Sequence, residues 1–268
     1  MNATFSSSAR PPAVAGLFYP GDRATLSRTL TQMLAIARPA HAAAPKALIA
    51  PHAGYIYSGP IAASAYALLA PARATIKRVV LLGPTHRVAV RGLALPSVGR
   101  FATPLGAVEI DSEAVAALKK LPQVVVSDPA HALEHSLEVH LPFLQTVLED
   151  FKLVPLAVGD AHPSEVAQVI ETLWGGPETL IVVSSDLSHY LPYDDARNVD
   201  RDTTDAILAL RSDIDHEQAC GATPVCGLAL AAKRHHVKPE LVDLRNSGDT
   251  AGDRDRVVGY ASFAFYPE

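Results

Sequence analysis

Two histidines in this chain follow apolar runs closely. His52 comes directly after the run 47–50 and a proline, and His86 comes after the run 79–82 and a Gly-Pro-Thr segment. A short apolar run without polar residues is typical of a strand buried on both faces. In open α/β sheets, ligands bind beyond the carboxyl ends of such strands. The pattern therefore indicates two imidazoles in ligand-binding positions.

A third apolar run ends in a different set of polar side chains. The β-branched run 179–183 is followed by Asp186 and His189, which are three residues apart. An aspartate and a histidine at this spacing could orient one another or carry out proton transfer. The alternative is that Asp186 only caps the next segment. A serine-hydrolase interpretation of Ser184 or Ser185 with His189 is weak, because the glycine-flanked nucleophile turn is missing.

Cys220 supplies a third candidate ligand type. It lies in the glycine- and proline-containing segment 218–224, far in sequence from His52 and His86. Two imidazoles with a thiolate or carboxylate, leaving coordination positions open, suit Fe(II), Cu or Zn. Each residue also has a simpler explanation, because a single loop histidine is commonly a hydrogen-bonded structural group and cysteine is a common small core residue. The metal hypothesis requires the three loops to meet.

The segment 134–142 is the densest in ionisable side chains. It contains two glutamates and two histidines, among them Glu138 and His140. A carboxylate–imidazole pair here could adjust the pKa of a general base or hydrogen-bond to a metal ligand and orient it. The alternative is the exposed start of a helix, which we predict from Ser136 to about residue 148. That alternative is weaker for Glu138 and His140, since apolar residues alternate with them.

Composition limits the class of protein. The chain has 268 residues, of which 49% are hydrophobic and 19% charged, and its net charge is −5. Without a lysine or arginine block, nucleic acid and anionic membrane surfaces are not expected partners. No apolar run approaches the length of a membrane span, and the first residues lack the order of a signal peptide. We therefore expect a cytoplasmic protein.

Strands and helices alternate along most of the chain, which predicts an α/β protein with a central mixed, largely parallel sheet flanked by helices. We expect a flexible tail at 1–9 and a single domain at 10–268, with an extended arm at 10–20. Further strands are predicted at 123–126, 152–158, 240–246 and 257–265. Helices are predicted at 23–37, 60–70, 163–174 and 194–211, and from Asp111 and after Cys220.

Five ordered segments resemble the Memo family, which is named for a mediator of cell motility and also occurs in bacteria and archaea. They are PHAGY (51–55), LGPTH (82–86), EHSLEVHLP (134–142), SSDLSH (184–189) and ACG (219–221). The likeness runs from about Pro11 to the last predicted strand. It implies a fold related to the class III extradiol (LigB-like) dioxygenases, whose iron is held by two histidines and a carboxylate.

The resemblance also implies a site. His52, His86 and Cys220 match the family's metal ligands. Three further residues match positions that line the same pocket, and we predict them to be catalytic, with His189 or His140 as the acid–base: His140, Asp186 and His189. Fe(II) or Cu is the implied cofactor, with Zn as a further option, because a thiolate in place of a carboxylate favours softer ions.

The implied partners are a small-molecule substrate of unknown identity and, from the grouping of bacterial members, a radical-SAM protein. We therefore expect a metal-dependent, dioxygenase-like redox enzyme or, alternatively, a non-catalytic protein that binds copper or iron, a peptide or a small molecule.

Overall fold

Within residues 6–37 and 43–268, which this computed structural model describes, nine strands form a mixed main sheet and three form a smaller one. The strands are β1 (Ser6–Arg10), β2 (Ala47–Ala50), β3 (Arg78–Pro84), β4 (Leu93–Leu95), β5 (Val98–Thr103), β6 (Gly106–Glu109), β7 (Val124–Val126), β8 (Lys152–Val158), β9 (Thr179–Ser184), β10 (His189–Leu191), β11 (Val237–Asn246) and β12 (Val257–Pro267). The helices are α1 (Arg23–Ile36), α2 (Tyr55–Tyr66), α3 (Ser112–Leu118), α4 (Asp128–Ala132), α5 (Leu141–Val147), α6 (Pro163–Thr172), α7 (Tyr193–Leu208) and α8 (Ala222–Arg234).

Four neighbouring parallel strands make the centre of the main sheet. Their order is β2, β9, β3 and β8, and every residue of β2 and β9 is buried. Burial on both faces explains why these strands appear in the sequence as unbroken apolar runs. Antiparallel strands complete the sheet, with β12 beside β2 and β4 beside β8. The predicted fold class, a single α/β domain with a mixed sheet flanked by helices, is confirmed.

The first described residues are not a tail. Ser6–Arg10 form β1, which pairs in parallel with β5 in the smaller sheet. Residues 1–5 of the predicted tail lie outside the described residues. The difference arises because β1 is held by β5 and by residues near position 134, all of which are remote in sequence.

Most helices begin and end near their predicted positions. Asp22 caps α1 by accepting the Thr25 N–H, and Asp111 caps α3 in the same way. The predicted start of a helix at Gly59-Pro60 is wrong, because α2 begins at Tyr55 and contains Pro60 in its interior. None of the described helices is long and apolar enough to cross a bilayer.

Gly59 marks a close helix contact. A Cβ atom at this position would lie 2.9 Å from the Sδ and Cε atoms of Met33, so α1 packs tightly on α2 here. The glycine is therefore a packing position within α2, and it does not signal a turn.

The segment 134–142 differs from the predicted continuous helix. Ser136 does not cap a helix but donates its hydroxyl to the Pro84 carbonyl at 2.8 Å. A 3₁₀ turn at Glu138–His140 follows, and α5 begins only at Leu141. The segment is thus tied to the end of β3, which brings its ionisable residues to the carboxyl edge of the sheet.

Candidate metal centre

Three neighbouring strands deliver polar side chains at the same distance beyond their ends. His52 lies two residues after the end of β2, His86 two residues after β3, and Asp186 two residues after β9. Because β9 lies between β2 and β3, the loop that carries Asp186 leaves the sheet between the loops that carry the two imidazoles. This regular offset is the reason the sequence pattern could locate the site.

Cys220 reaches the same place by another route. It comes from the loop between α7 and α8, and its Sγ lies 3.4 Å from His52 Nε2. One ligand atom from each of His52, His86 and Cys220 lies within 4.8 Å of the other two. The structure therefore brings together the three side chains that the sequence predicts as metal ligands. Cys226 is a separate buried thiol that contacts the Ile214 carbonyl.

Glu134 orients His86 through two hydrogen bonds. Its carboxylate accepts hydrogen bonds from the His86 Nδ1 at 2.8 Å and from the His86 backbone N–H at 2.6 Å. Burial raises the pKa of Glu134, but the hydrogen bonds from His86 and from the Ser136 N–H outweigh it and hold the pKa at about 2. The charged carboxylate keeps the hydrogen of His86 on Nδ1, which leaves Nε2 free to bind an ion.

His52 is fully enclosed. Its backbone N–H donates to Asp186 Oδ1 at 2.7 Å, and its Nδ1 lies 2.6 Å from Ser184 Oγ. Burial lowers the pKa of His52 well below its usual value, and the neighbouring imidazoles lower it further. The ring is therefore neutral, as a metal ligand must be.

Asp186 lies beside His52 and Cys220 but is not one of the three grouped ligands. Its Oδ2 is 4.0 Å from His52 Nε2, and its backbone carbonyl accepts the Cys220 N–H at 3.3 Å. Burial raises the pKa of Asp186 to about 7, although the His52 N–H opposes this. The Asp186 carboxylate accepts the His52 N–H, and its carbonyl accepts the Cys220 N–H. Asp186 therefore holds the loops of these two ligands together.

His140 is buried and lies next to Ser184, outside the group of three ligands. Tyr66 Oη lies 2.8 Å from its Nδ1, and Ser184 Oγ lies 2.8 Å from its Nε2. Burial lowers the pKa of His140 to about 3. Since both ring nitrogens already have partners, the hydrogen-bonded connection from His140 to the ligands runs through Ser184. The geometry does not favour the direct catalytic role predicted from sequence.

His189 has a different position from His140. It is half-buried at the start of β10, and burial lowers its pKa. It borders a cleft of about 690 Å³ that opens beside two of the candidate ligands, and this volume suits a small-molecule site. The cleft is lined by His86, His189, Leu191, Val199, Asp215, His216, Glu217, Gln218 and Cys220. His189 is thus the predicted catalytic residue that a bound small molecule could touch.

His135 is a member of the site that the sequence alone does not single out. Its ring stacks on His86 with 4.7 Å between centroids and meets His52 edge-on at 5.4 Å. Together with Glu134 and His86 it forms a second group that could hold an ion. The only sequence signal for His135 is that it lies in the ionisable segment 134–142. The sequence does not show which of the two histidines in this segment faces the ligands.

Several buried histidines near the site are held neutral, and this predicts acid sensitivity. His131 donates from Nε2 to the Ala94 carbonyl at 2.9 Å, and burial lowers its pKa to about 4. Because this pKa is below that of the unfolded chain, the unfolded state binds more protons as pH falls through 6.5 toward 4. We expect each such histidine to remove about 1 kcal/mol of unfolding free energy between about pH 7.5 and 5.5.

The measurement is urea unfolding of chelator-treated protein at the two pH values, for wild type and His131→Gln. Glutamine can still donate to the Ala94 carbonyl but does not titrate. The loss of unfolding free energy between the two pH values should therefore be smaller in His131→Gln by about 1 kcal/mol. An identical loss in both proteins would mean that His131 does not contribute to acid sensitivity.

Comparisons with known proteins show which family this chain is similar to. The model of the Memo family, described as Memo-like protein, matches residues 10–264. A MEMO1 family protein of Aquifex aeolicus is 38% identical over 269 residues, covering 96% of this chain and 98% of the relative. One from Archaeoglobus fulgidus is 38% identical over 272 residues, covering 96% and 99%.

Among solved structures, the crystal structure of uncharacterized protein JW3007 from Escherichia coli K12 is similar in fold. Its TM-score is 0.51 and its sequence identity 14%, and the match covers 81% of this chain and 98% of that chain. At this identity the likeness concerns the fold alone.

Proposed function

This chain belongs to the Memo family, and from that premise we propose that it is a metal-dependent redox enzyme acting on a small molecule. The observation that carries the proposal is the convergence of His52, His86 and Cys220 beside an open cleft. Three protein ligands leave coordination positions free, which is the arrangement of reactive sites and not of closed structural ones. Fe(II) or Cu is the proposed ion, and Zn is compatible with the same donors.

The donor set fits such an ion. The Nδ1 atoms of His52 and His86 are hydrogen-bonded to Ser184 and Glu134, so the Nε2 atom of each ring carries a lone pair that can bind an ion. Burial raises the pKa of the Cys220 thiol to about 12, and the Asp186 carboxylate adds to the effect. Without a cation nearby the thiol therefore stays protonated, and a cation bound between the imidazoles would favour its thiolate form.

The protein's own groups then have separate tasks. A bound ion would supply Lewis-acid or electron-transfer chemistry. Glu134 and Asp186 hold the ligand loops in place, and Leu191 and Val199 make one cleft wall apolar. His189, neutral and half-buried, can accept or return a proton on a substrate in the cleft.

Cys220 also supports a second candidate function. A thiolate with two imidazoles is a good site for Cu(I), so the protein could bind copper reversibly without turnover. This binding role requires the same three ligands but makes no use of His189 or of the cleft. The two functions therefore differ in what happens when His189 is changed.

We expect His189→Ala to keep its metal and to lose activity. After anaerobic loading with Fe(II), Cu or Zn and removal of free ion, metal content and ascorbate-dependent oxygen uptake are measured on each variant. Removing a general acid–base should lower metal-dependent oxygen uptake by roughly 10²–10⁴-fold. His235→Ala, on the surface beside Trp174, is the matched control and should match wild type in both readouts.

Two outcomes would contradict the enzyme proposal. Tight Cu(I) binding with no uptake in wild type would favour the binding role. Equal loss of metal and uptake in His189→Ala would make His189 a ligand or a structural residue.

A further inference from the structure

The Ser184 hydroxyl, at the carboxyl end of β9, has three polar partners. Its Oγ lies 2.6 Å from the Ser136 carbonyl oxygen, 2.6 Å from His52 Nδ1 and 2.8 Å from His140 Nε2. A carbonyl can only accept, so the single hydroxyl hydrogen of Ser184 points to Ser136. The two imidazole nitrogens must therefore both donate to Ser184 Oγ.

This assignment fixes the tautomer of both histidines. His52 carries its hydrogen on Nδ1, so the lone pair is on Nε2, the atom that lies 3.4 Å from Cys220 Sγ. His140 carries its hydrogen on Nε2, so its Nδ1 accepts the Tyr66 hydroxyl at 2.8 Å. Every donor and acceptor in the series Tyr66, His140, Ser184 and His52 then has a partner.

The same geometry rules out a nucleophilic role for Ser184. The residue is fully buried, and both oxygen lone pairs are occupied by imidazole N–H groups. A nucleophilic serine gives its proton to a base, whereas this one gives it to a backbone carbonyl that cannot take it. The hydroxyl is thus part of the support of His52.

We propose that Ser184 is the positioning residue that sets the tautomer and ring orientation of His52, with Tyr66 and His140 fixing Ser184 in turn. This inference rests on the proposed metal site, because its purpose is to present Nε2 of His52 to an ion. It gives His52 a neutral hydrogen-bonding support, whereas Glu134 gives His86 a charged one. The two ligands are therefore held by chemically different partners.

The test is Ser184→Ala, with ¹⁵N-labelled histidine in the metal-free protein as the first readout. Ring ¹⁵N shifts distinguish hydrogen on Nδ1 from hydrogen on Nε2, and the His52 signals are assigned by their loss in His52→Gln. We expect wild type to show His52 with hydrogen on Nδ1 and Ser184→Ala to move toward the other tautomer. Zn(II) affinity, measured by chelator competition, should fall about 10–100-fold.

Two further variants separate positioning from general damage. Ser184→Thr retains the hydroxyl and should keep the wild-type tautomer. Ser262→Ala removes another fully buried strand serine, one that donates to the Ile61 carbonyl, and should change neither readout. An unchanged His52 tautomer and an unchanged Zn(II) affinity in Ser184→Ala would overturn the proposal.

Failure of the metal proposal would look different. A wild-type protein that binds no Zn(II), Fe(II) or Cu would refute the proposed function, yet the tautomer measurement in the metal-free protein would still report on Ser184. The two results can therefore be read independently.

Discussion

Replacing Cys220 with serine is expected to abolish stable metal binding while leaving the protein folded. Serine keeps the shape of the side chain but supplies a hydroxyl that does not ionise and is a poor ligand for Cu, Zn or Fe(II). The sulfur lies 3.4 Å from His52 Nε2 and 3.7 Å from the Asp186 carbonyl oxygen, and serine preserves nearly the same side-chain shape, so little packing is lost. Elemental analysis after anaerobic loading and desalting, together with thermal unfolding of the metal-free protein, measures both effects.

Cys226→Ser is the matched control, because it is the same substitution at a buried cysteine on α8. Its thiol contacts the Ile214 carbonyl and is not part of the ligand group, so metal content should stay at the wild-type level. If Cys220→Ser instead lost stability with its metal content unchanged, Cys220 would be a core residue and the proposed centre would be wrong.

Replacing Glu138 with alanine is expected to lower the free energy of unfolding by about 3–5 kcal/mol, because it leaves a buried charge unpaired. Glu138 is 0% exposed and pairs at 2.5 Å with Arg10, which is 5% exposed. The carboxylate also accepts the N–H groups of Ala13 and Val14 and the hydroxyl of Tyr19. Urea unfolding measures the loss.

The exposed pair Arg73 and Glu149 provides the control for this effect. Both side chains are more than half exposed, and Glu149→Ala should cost less than about 1 kcal/mol. Adding Arg10→Met to Glu138→Ala should recover part of the loss, because no unpaired buried charge is then left. If Glu138→Ala cost no more than Glu149→Ala, the buried pair would contribute no more than a surface one.

The sequence predicts the part of the site whose residues directly follow recognisable strands. His52 and His86 each stand just after a strand that is buried on both faces, and such strands leave unbroken apolar runs in the sequence. Parallel strands place their carboxyl ends at one edge, so the order of residues alone is enough to locate these histidines. Cys220 follows no strand, and its place near them is implied only by the family resemblance.

The supporting contacts could not be predicted in this way. Ser184 meets Ser136 and His140 across more than 40 positions of sequence, and Tyr66 meets His140 across 74. No spacing rule covers such pairs, because they depend on how separate elements pack. For the same reason the loose tail predicted at 1–9 proved to include β1, whose partners lie far along the chain.

The arm at residues 10–20 also forms part of the wall of the candidate centre. The Phe18 ring packs on His135 with 4.8 Å between centroids, and its carbonyl accepts the Tyr55 N–H at the start of α2. During synthesis, Arg10 leaves the ribosome 128 residues before Glu138, the carboxylate that anchors the arm. The arm therefore cannot dock until a segment made much later is available, and the pocket wall can close only after residue 138 has been made.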